Sequence, residues 1–276
     1  MQLNFTKMHG LGNDFVVINA INQTINLSEK QIRFIADRRF GIGCDQVLLV
    51  ESTQQKETDF RYRIYNADGG EVEQCGNGAR CFATFVRQQG LTDQKKISVI
   101  TASGKITLHL EDNEQVSVNM GSPILLPEAI PFVAKKQKDQ YDITISGSII
   151  PISVVSMGNP HAVIIVDDIQ TAAVETLGPL VQQSKYFPNQ ANIGFMQIIN
   201  KNHIKLRVYE RGSGETLACG TGACAAMVAG QLQGLLDDSV KVSLPGGDLL
   251  IRWAGGDNPV MMTGPTATVF TGSITI

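Results

Sequence analysis

Cysteine and glycine meet twice in the same arrangement, as EQCGNGARC over residues 73–81 and LACGTGACA over 217–225. After Cys75, Ala79, Phe82, Ala83 and Val86 recur at helical spacing with Gly90 as a stop. After Cys219, Ala223, Ala226, Met227 and Gly230 do the same, with Gly234 as a stop. Each thiol is thus expected at a helix N-terminus, where free amides and the positive end of the helix dipole lower a thiol's pKa and attract anions. Two equivalent thiols of this kind suit one reaction in particular. With a carboxylate held at the helix ends, one thiolate removes the α-proton and the other thiol delivers a proton to the opposite face. Gly76, Gly78, Gly220 and Gly222 would let backbone N–H groups approach the carboxylate closely, in the manner of an oxyanion hole.

Other chemistries fit less well. Zinc wants closely spaced ligand pairs, which the gaps between Cys75 and Cys81 and between Cys219 and Cys224 do not supply. A redox C-x-x-C pair is missing, and GNGARCF lacks the lysine and hydroxyl of a phosphate loop. A hydrolytic pairing of one cysteine with His161 would leave the other cysteine unexplained. Five cysteines are too few and too scattered for a disulfide scaffold, so reduced thiols are expected, and Cys44, Cys81 and Cys224 read as core residues.

The elements that must position the two thiols also come twice. YNADGGEVEQCGNGARC (65–81) lies on YERGSGETLACGTGACA (209–225) without a gap, at an offset of 219 − 75 = 144. GLGNDFVVI (10–18) resembles SMGNPHAVI (156–164), and GIGCDQVLL (41–49) resembles NIGFMQIIN (192–200) through shared Ile-Gly and Gln positions. Strand-like runs are found at 15–20, 46–51, 60–65, 96–101 and 105–110, then at 162–167, 195–200, 204–209 and 240–245. A further helix is expected over 27–39, capped by Ser28 with Ile32 and Ile35 on one face. This predicts an α+β chain of two pseudo-symmetric, β-rich, barrel-like domains, each with a central helix. The first spans 1–119 and carries Cys75, with the tail at 266–276 packing back on it. The second spans 120–265 and carries Cys219, and the active site is expected in the cleft between the two.

A net charge of −3 and a sequence pI near 5.8 argue against nucleic acid or an anionic membrane and for a small-molecule partner. No signal peptide or membrane span is apparent, which points to a cytoplasmic protein.

The motifs HGLGNDFVVI, GIGCDQVLLV, YNADGGEVEQCGNGARC, GNPHAVI, ANIGF and YERGSGETLACGTGACA together resemble the diaminopimelate epimerase family, in order and across nearly the whole chain. The resemblance implies a cofactor-independent isomerase that interconverts L,L- and meso-diaminopimelate, with no metal. It makes Cys75 and Cys219 the catalytic pair, with Cys219 accepting and Cys75 donating the proton in the L,L to meso direction. It assigns the reacting carboxylate to the amides around Gly76-Asn77 and Gly220-Thr221, and Asn13, Gln46, Asn66, Asn159, Asn192, Glu210 and Arg211 to substrate binding. His161 and Glu210 are implied to set thiol protonation, and Phe270 to make a dimer contact where some family members have tyrosine.

Taken singly these residues have plainer readings: Gly-Asn pairs make turns, His161 beside Pro160 suits a turn or the core, and Glu210 and Arg211 suit a surface ion pair. The nearest rival is a proline racemase of the same architecture, although Asn77 stands where those enzymes characteristically show histidine. A non-catalytic amino-acid-binding or thiol-redox protein is the rival from another class.

Overall fold

The computed structural model describes the whole chain except residues 22, 24, 73 and 74, so two positions of the motif at 73–81 lie outside the described residues. The chain forms two compact units, Met1–Asn119 with Thr263–Ile276, and Met120–Met262.

The first unit contains β1 (Gln2–Gly10), β2 (Asn13–Asn19), α1 (Glu29–Ala36), β3 (Gln46–Glu51), β4 (Phe60–Asn66), β5 (Glu71–Val72), α2 (Gly76–Gln88), β6 (Lys96–Thr101), β7 (Gly104–Leu110) and β8 (Val116–Asn119). The second contains β9 (Tyr141–Ile145), β10 (Ser148–Ser156), β11 (Pro160–Ile165), α3 (Val174–Gln182), β12 (Asn192–Asn200), β13 (His203–Glu210), β14 (Gly214–Thr216), α4 (Gly220–Leu232), β15 (Ser239–Leu244) and β16 (Gly247–Arg252). The boundary falls inside β17 (Met261–Gly264), and β18 (Ala267–Thr275) pairs antiparallel with β1 along its length, from Gln2 opposite Thr275 to His9 opposite Ala267.

Strand pairing has the same plan in both units. β1 and β2 form an antiparallel pair, β2 runs parallel to β3, β3 antiparallel to β4, β4 parallel to β6, and β6 antiparallel to β7. β10 and β11, β11 and β12, β12 and β13, β13 and β15, and β15 and β16 repeat those senses in that order. Parallel neighbours need a crossover, which α1 supplies between β2 and β3 and α3 between β11 and β12. α2 packs on β1, β2, β3, β7 and β8, and α4 on β10, β11, β12, β13, β15 and β16. Each is a central helix within a curled sheet. That placement explains α4, in which the ten residues Gly220 and Gly222–Gly230 are all buried, so its sequence is apolar on every side.

Local signals set the helix ends. Ser28 and Gln31 form a reciprocal capping box on α1, which ends at Ala36, three residues before the end of the run read from sequence. Gly90 and Gly234, at φ +63° and +71°, take the left-handed conformation that stops α2 and α4. α3 escapes the sequence reading because it carries Gly178 and Pro179 internally. Gly178 is there for packing, since a Cβ on it would stand 2.7 Å from the Cβ of Tyr209.

The structure corrects one block of the internal alignment. Matching the Ile-Gly pairs puts Gln46 on Gln197, but the parallel register sets Phe15 opposite Gln46 and His161 opposite Asn192. Because Phe15 and His161 are equivalent (161 − 15 = 146), Gln46 corresponds to Asn192, each opening its strand. Cys44 therefore corresponds to Gln190 rather than Phe195. The ladder depends on which backbone groups meet, and a shared dipeptide does not report that.

Candidate active site

Cys75 and Cys219 are the N-cap residues of α2 and α4, both with extended backbone, at φ −139° and −116°. The β4–β5 and β13–β14 pairs lead the chain into these caps, and Gly12 and Gly158, at φ +88° and +90°, turn it into Asn13 and Asn159. Six positions are therefore equivalent in the two units: Asn13 and Asn159, Gln46 and Asn192, Asn66 and Glu210, Cys75 and Cys219, Gly76 and Gly220, Asn77 and Thr221.

In the first unit the Cys75 thiol donates to Asn13 Oδ1 at 3.6 Å, and Asn77 Nδ2 donates to the same oxygen at 3.2 Å. Gln46 Nε2 donates to Asn66 Oδ1 at 2.8 Å, while the buried Gln46 Oε1 has no partner among the described residues. A buried carbonyl oxygen without a donor is rare in a native protein. In a binding site it is an acceptor held ready for a ligand N–H.

In the second unit the Cys219 sulfur accepts from the Gly222 N–H at 3.3 Å and lies 3.6 Å from the Thr221 hydroxyl. Asn159 Nδ2 donates to Thr221 Oγ1 at 3.3 Å, and Asn159 Oδ1 lies 3.0 Å from His161 Nε2. Glu210 Oε1 accepts from the Thr216 hydroxyl at 2.5 Å. Asn192 donates to the Pro160 carbonyl at 3.1 Å and accepts from the Arg211 N–H at 2.9 Å, which fixes the turn carrying Arg211.

The thiol pKa expected from the helix end is overturned at Cys219. Burial raises it well above the usual value and the charge of Glu210 adds to that, against opposing bonds from Thr221 and Gly222. A helix end contributes at most about 2 kcal/mol, equal to about 1.5 pKa units, whereas full burial shifts a group by about 3 to 5 units. Burial therefore wins, and Cys219 is a thiol until something changes its surroundings. His161 is also buried. Desolvation, with a smaller push from Arg211, brings its pKa down to about 3, so its imidazole is neutral at ordinary pH.

Two of the glycines are also required by packing. A Cβ on Gly78 would stand 2.7 Å from the Tyr62 hydroxyl and 3.1 Å from a Phe15 ring carbon, and one on Gly222 would stand 3.1 Å from the Cys219 sulfur. Gly78 thus serves packing beneath the helix, and Gly222 leaves room for the Cys219 sulfur. Cys44 and Cys81 are buried thiols with pKa values pushed up to about 12 by desolvation, and Cys224 is wholly buried. All three occupy core positions. Phe270 lies on β18, 47% exposed, with its ring edge-on to Phe5 at 5.9 Å.

Four residues around Cys75 were not found from the sequence: Arg38, Asp45 and Arg80, which anchor its asparagines, and Tyr62, whose hydroxyl donates to the Cys75 carbonyl at 3.4 Å. The only signal was negative. Asp45 and Arg80 are polar residues that correspond to apolar Ala191 and Cys224 in the second unit.

Two repeated β-rich halves, each with a central helix capped by a thiol, define the fold. Solved structures share the fold: a PhzF-family phenazine biosynthesis protein of Bacillus anthracis (TM-score 0.72, 17% identity, 100% of both chains) and a hydroxyproline epimerase from Agrobacterium vitis (TM-score 0.69, 16% identity, 99% of this chain and 92% of that one). A probable proline racemase from Agrobacterium radiobacter K84 is also similar (TM-score 0.71, 15% identity, 99% and 93%). Sequence is more specific, since residues 5–126 and 153–269 match the family model for diaminopimelate epimerase. Curated diaminopimelate epimerases from Thioalkalivibrio sulfidiphilus and Nitrosomonas eutropha are 59% and 60% identical, over 100% and 99% of both chains. The chain belongs to the diaminopimelate epimerase family.

Proposed function

We propose that the protein is an isomerase that interconverts L,L- and meso-diaminopimelate by two-base inversion at the α-carbon, a step of lysine and peptidoglycan-precursor biosynthesis. The observation that carries this reading is the pair of helix-capping thiols in a chain 55–60% identical to curated enzymes of that name along its whole length. In the L,L to meso direction Cys219 removes the α-proton and Cys75 delivers one to the opposite face. The amides of Gly76-Asn77 and Gly220-Thr221 hold the carboxylate and stabilise the charge that builds on it. No cofactor takes part.

The raised pKa of Cys219 fits this chemistry. Substrate brings an ammonium group, and a cation placed against Glu210 cancels the charge that opposes thiolate formation. The base is thus generated when substrate arrives, and the resting thiol is protected from oxidation. Gln46 Oε1 and the asparagines Asn13, Asn66, Asn159 and Asn192 bind the polar ends of the substrate, and Arg211 pairs with its distal carboxylate. Neutral His161 holds Asn159 and acts on Cys219 through Thr221. The protein is cytoplasmic and forms a homodimer in which Phe270 is an apolar contact.

Incubation with L,L-diaminopimelate in D2O tests the assignment: meso product with deuterium at the α-carbon is expected, and absence of both overturns it. Inversion of proline instead would favour the racemase reading. For the dimer, Phe270→Asp should elute as a monomer where the parent chain elutes as a dimer.

A further inference from the structure

The asparagines beside the two thiols are equivalent in sequence but not in surroundings. Behind Asn13 stands Asp45, whose Oδ2 accepts from Asn13 Nδ2 at 2.9 Å and from the Asp14 N–H at 3.1 Å. Its Oδ1 accepts from Arg38 at 2.7 Å, and Arg38 is itself paired with Asp14. An ionised carboxylate only accepts hydrogen bonds, so the amide nitrogen of Asn13 must face Asp45 and its oxygen must face Cys75 and Asn77.

The other end is held by the opposite charge. Arg80 is fully buried, and its Nη2 donates to Asn77 Oδ1 at 3.0 Å; a guanidinium only donates, so the nitrogen of Asn77 must face Asn13. Arg80 is set by its bond to the Pro265 carbonyl at 3.4 Å and by the space at Gly10, where a Cβ would come within 3.1 Å of Nη2. Arg80, Asn77, Asn13 and Asp45 therefore form one relay with both amides oriented in the same sense. The relay is missing from the second unit, where Cys224, Thr221 and Ala191 take the places of Arg80, Asn77 and Asp45. There the bond from Asn159 Nδ2 leaves the Thr221 proton to face the Cys219 sulfur, which opposes without overcoming the rise that burial and Glu210 impose on that thiol.

We propose that Asp45 and Arg80 are positioning residues that aim the Asn13 carbonyl oxygen at Cys75, so that this thiol keeps its proton at rest. An acceptor stabilises S–H and gives nothing to S⁻; a hydroxyl or amide N–H donor does the reverse. Cys219 is also held protonated, but by burial and by Glu210, so the two thiols reach that state by different means. The proposal rests on the assignment of Cys75 and Cys219 as the two bases. Titratable groups that face Cys75 include Tyr62 on β4 and Cys81 and Arg80 on α2.

The test is the pH dependence of alkylation at Cys75, read by mass spectrometry of its peptide in the full-length protein without substrate. Asp45 is partly exposed, so its variants are expected to fold, with thermal unfolding as the check. Asp45→Leu removes both charge and acceptor, whereas Asp45→Asn removes the charge and keeps an acceptor oxygen for Asn13. Asp45→Leu should lower the midpoint for Cys75 by about one pH unit while Asp45→Asn stays near the parent value. Equal shifts in the two variants would mean that charge alone matters, and no shift in either would mean that the relay does not act on the thiol; either result overturns the proposal. The titration needs no turnover, so it fails or succeeds independently of the two-base assignment, which activity of Cys75→Ala would refute.

Discussion

The two half-sites share a backbone plan and differ in what stands behind each thiol. Around Cys75 the neighbours are charged and oriented: Arg80 and Asp45 hold two amides between them, and an acceptor faces the sulfur. Around Cys219 they are the Thr221 hydroxyl and the Gly222 N–H, with the Glu210 carboxylate acting on the thiol through its charge and as an acceptor. The repeat gives two equivalent helix ends, and a few side-chain differences give the two thiols different neighbours.

The comparison breaks most severely if either thiol is dispensable. Cys75→Ala and Cys219→Ala should each lower kcat by at least about 10³-fold, within the range of a lost acid or base. Measured in D2O, the two variants should differ in which isomer still exchanges its α-hydrogen: L,L-substrate exchanges only where Cys219 remains. A smaller effect is expected from Glu210→Gln. Loss of the charge that raises Cys219 should move its alkylation midpoint to lower pH, and loss of the ammonium partner should lower kcat/KM by about 10²-fold.

The paired glycines sharpen the contrast at lower magnitude. Gly222→Ala crowds the Cys219 sulfur and should cost about tenfold in kcat with little change in the thermal midpoint. Gly78→Ala meets the buried Tyr62 hydroxyl and should destabilise by about 1 to 3 kcal/mol, lowering the midpoint by several degrees in calorimetry. The smallest effect is at His161, equivalent to Phe15. Its folded pKa of about 3 lies below the ordinary value of about 6.5, so the unfolded chain binds the extra proton. Stability from this group is complete above pH 6.5 and is lost as pH falls towards 3, amounting to about 1 kcal/mol at pH 5.5. NMR should show no titration of His161 between pH 5 and 8, and His161→Gln should flatten the acid side of the stability profile.

Much of the site was legible from spacing alone. The duplicated Cys-Gly-x-Gly run marks both caps, the 3.6-residue periodicity behind it marks α2 and α4, and the glycines at 90 and 234 mark their ends. β3 and β6 are read with their observed bounds because β-branched runs between turn residues admit little else. β1 and β18 were not read, although they pair along their whole length. β18 is largely exposed, so it lacks the burial that writes a pattern into sequence. α3 was missed because Pro179 and Gly178 mimic a loop and serve a crossover packed on Tyr209.

Sequence by itself determined that two thiols cap two helices in two copies of one fold, because capping and periodicity are local properties that a short stretch carries. The tertiary structure alone decided how each thiol is poised. Asp45 lies 32 residues from Asn13, and they meet because β2 and β3 run parallel with Phe15 opposite Gln46. Burial of Cys219 and His161 likewise depends on strands far away in the chain. Desolvation and hydrogen-bond direction are properties of what surrounds a group in space, so the pKa that a helix end suggests for Cys219 is reversed once the sheet closes over it.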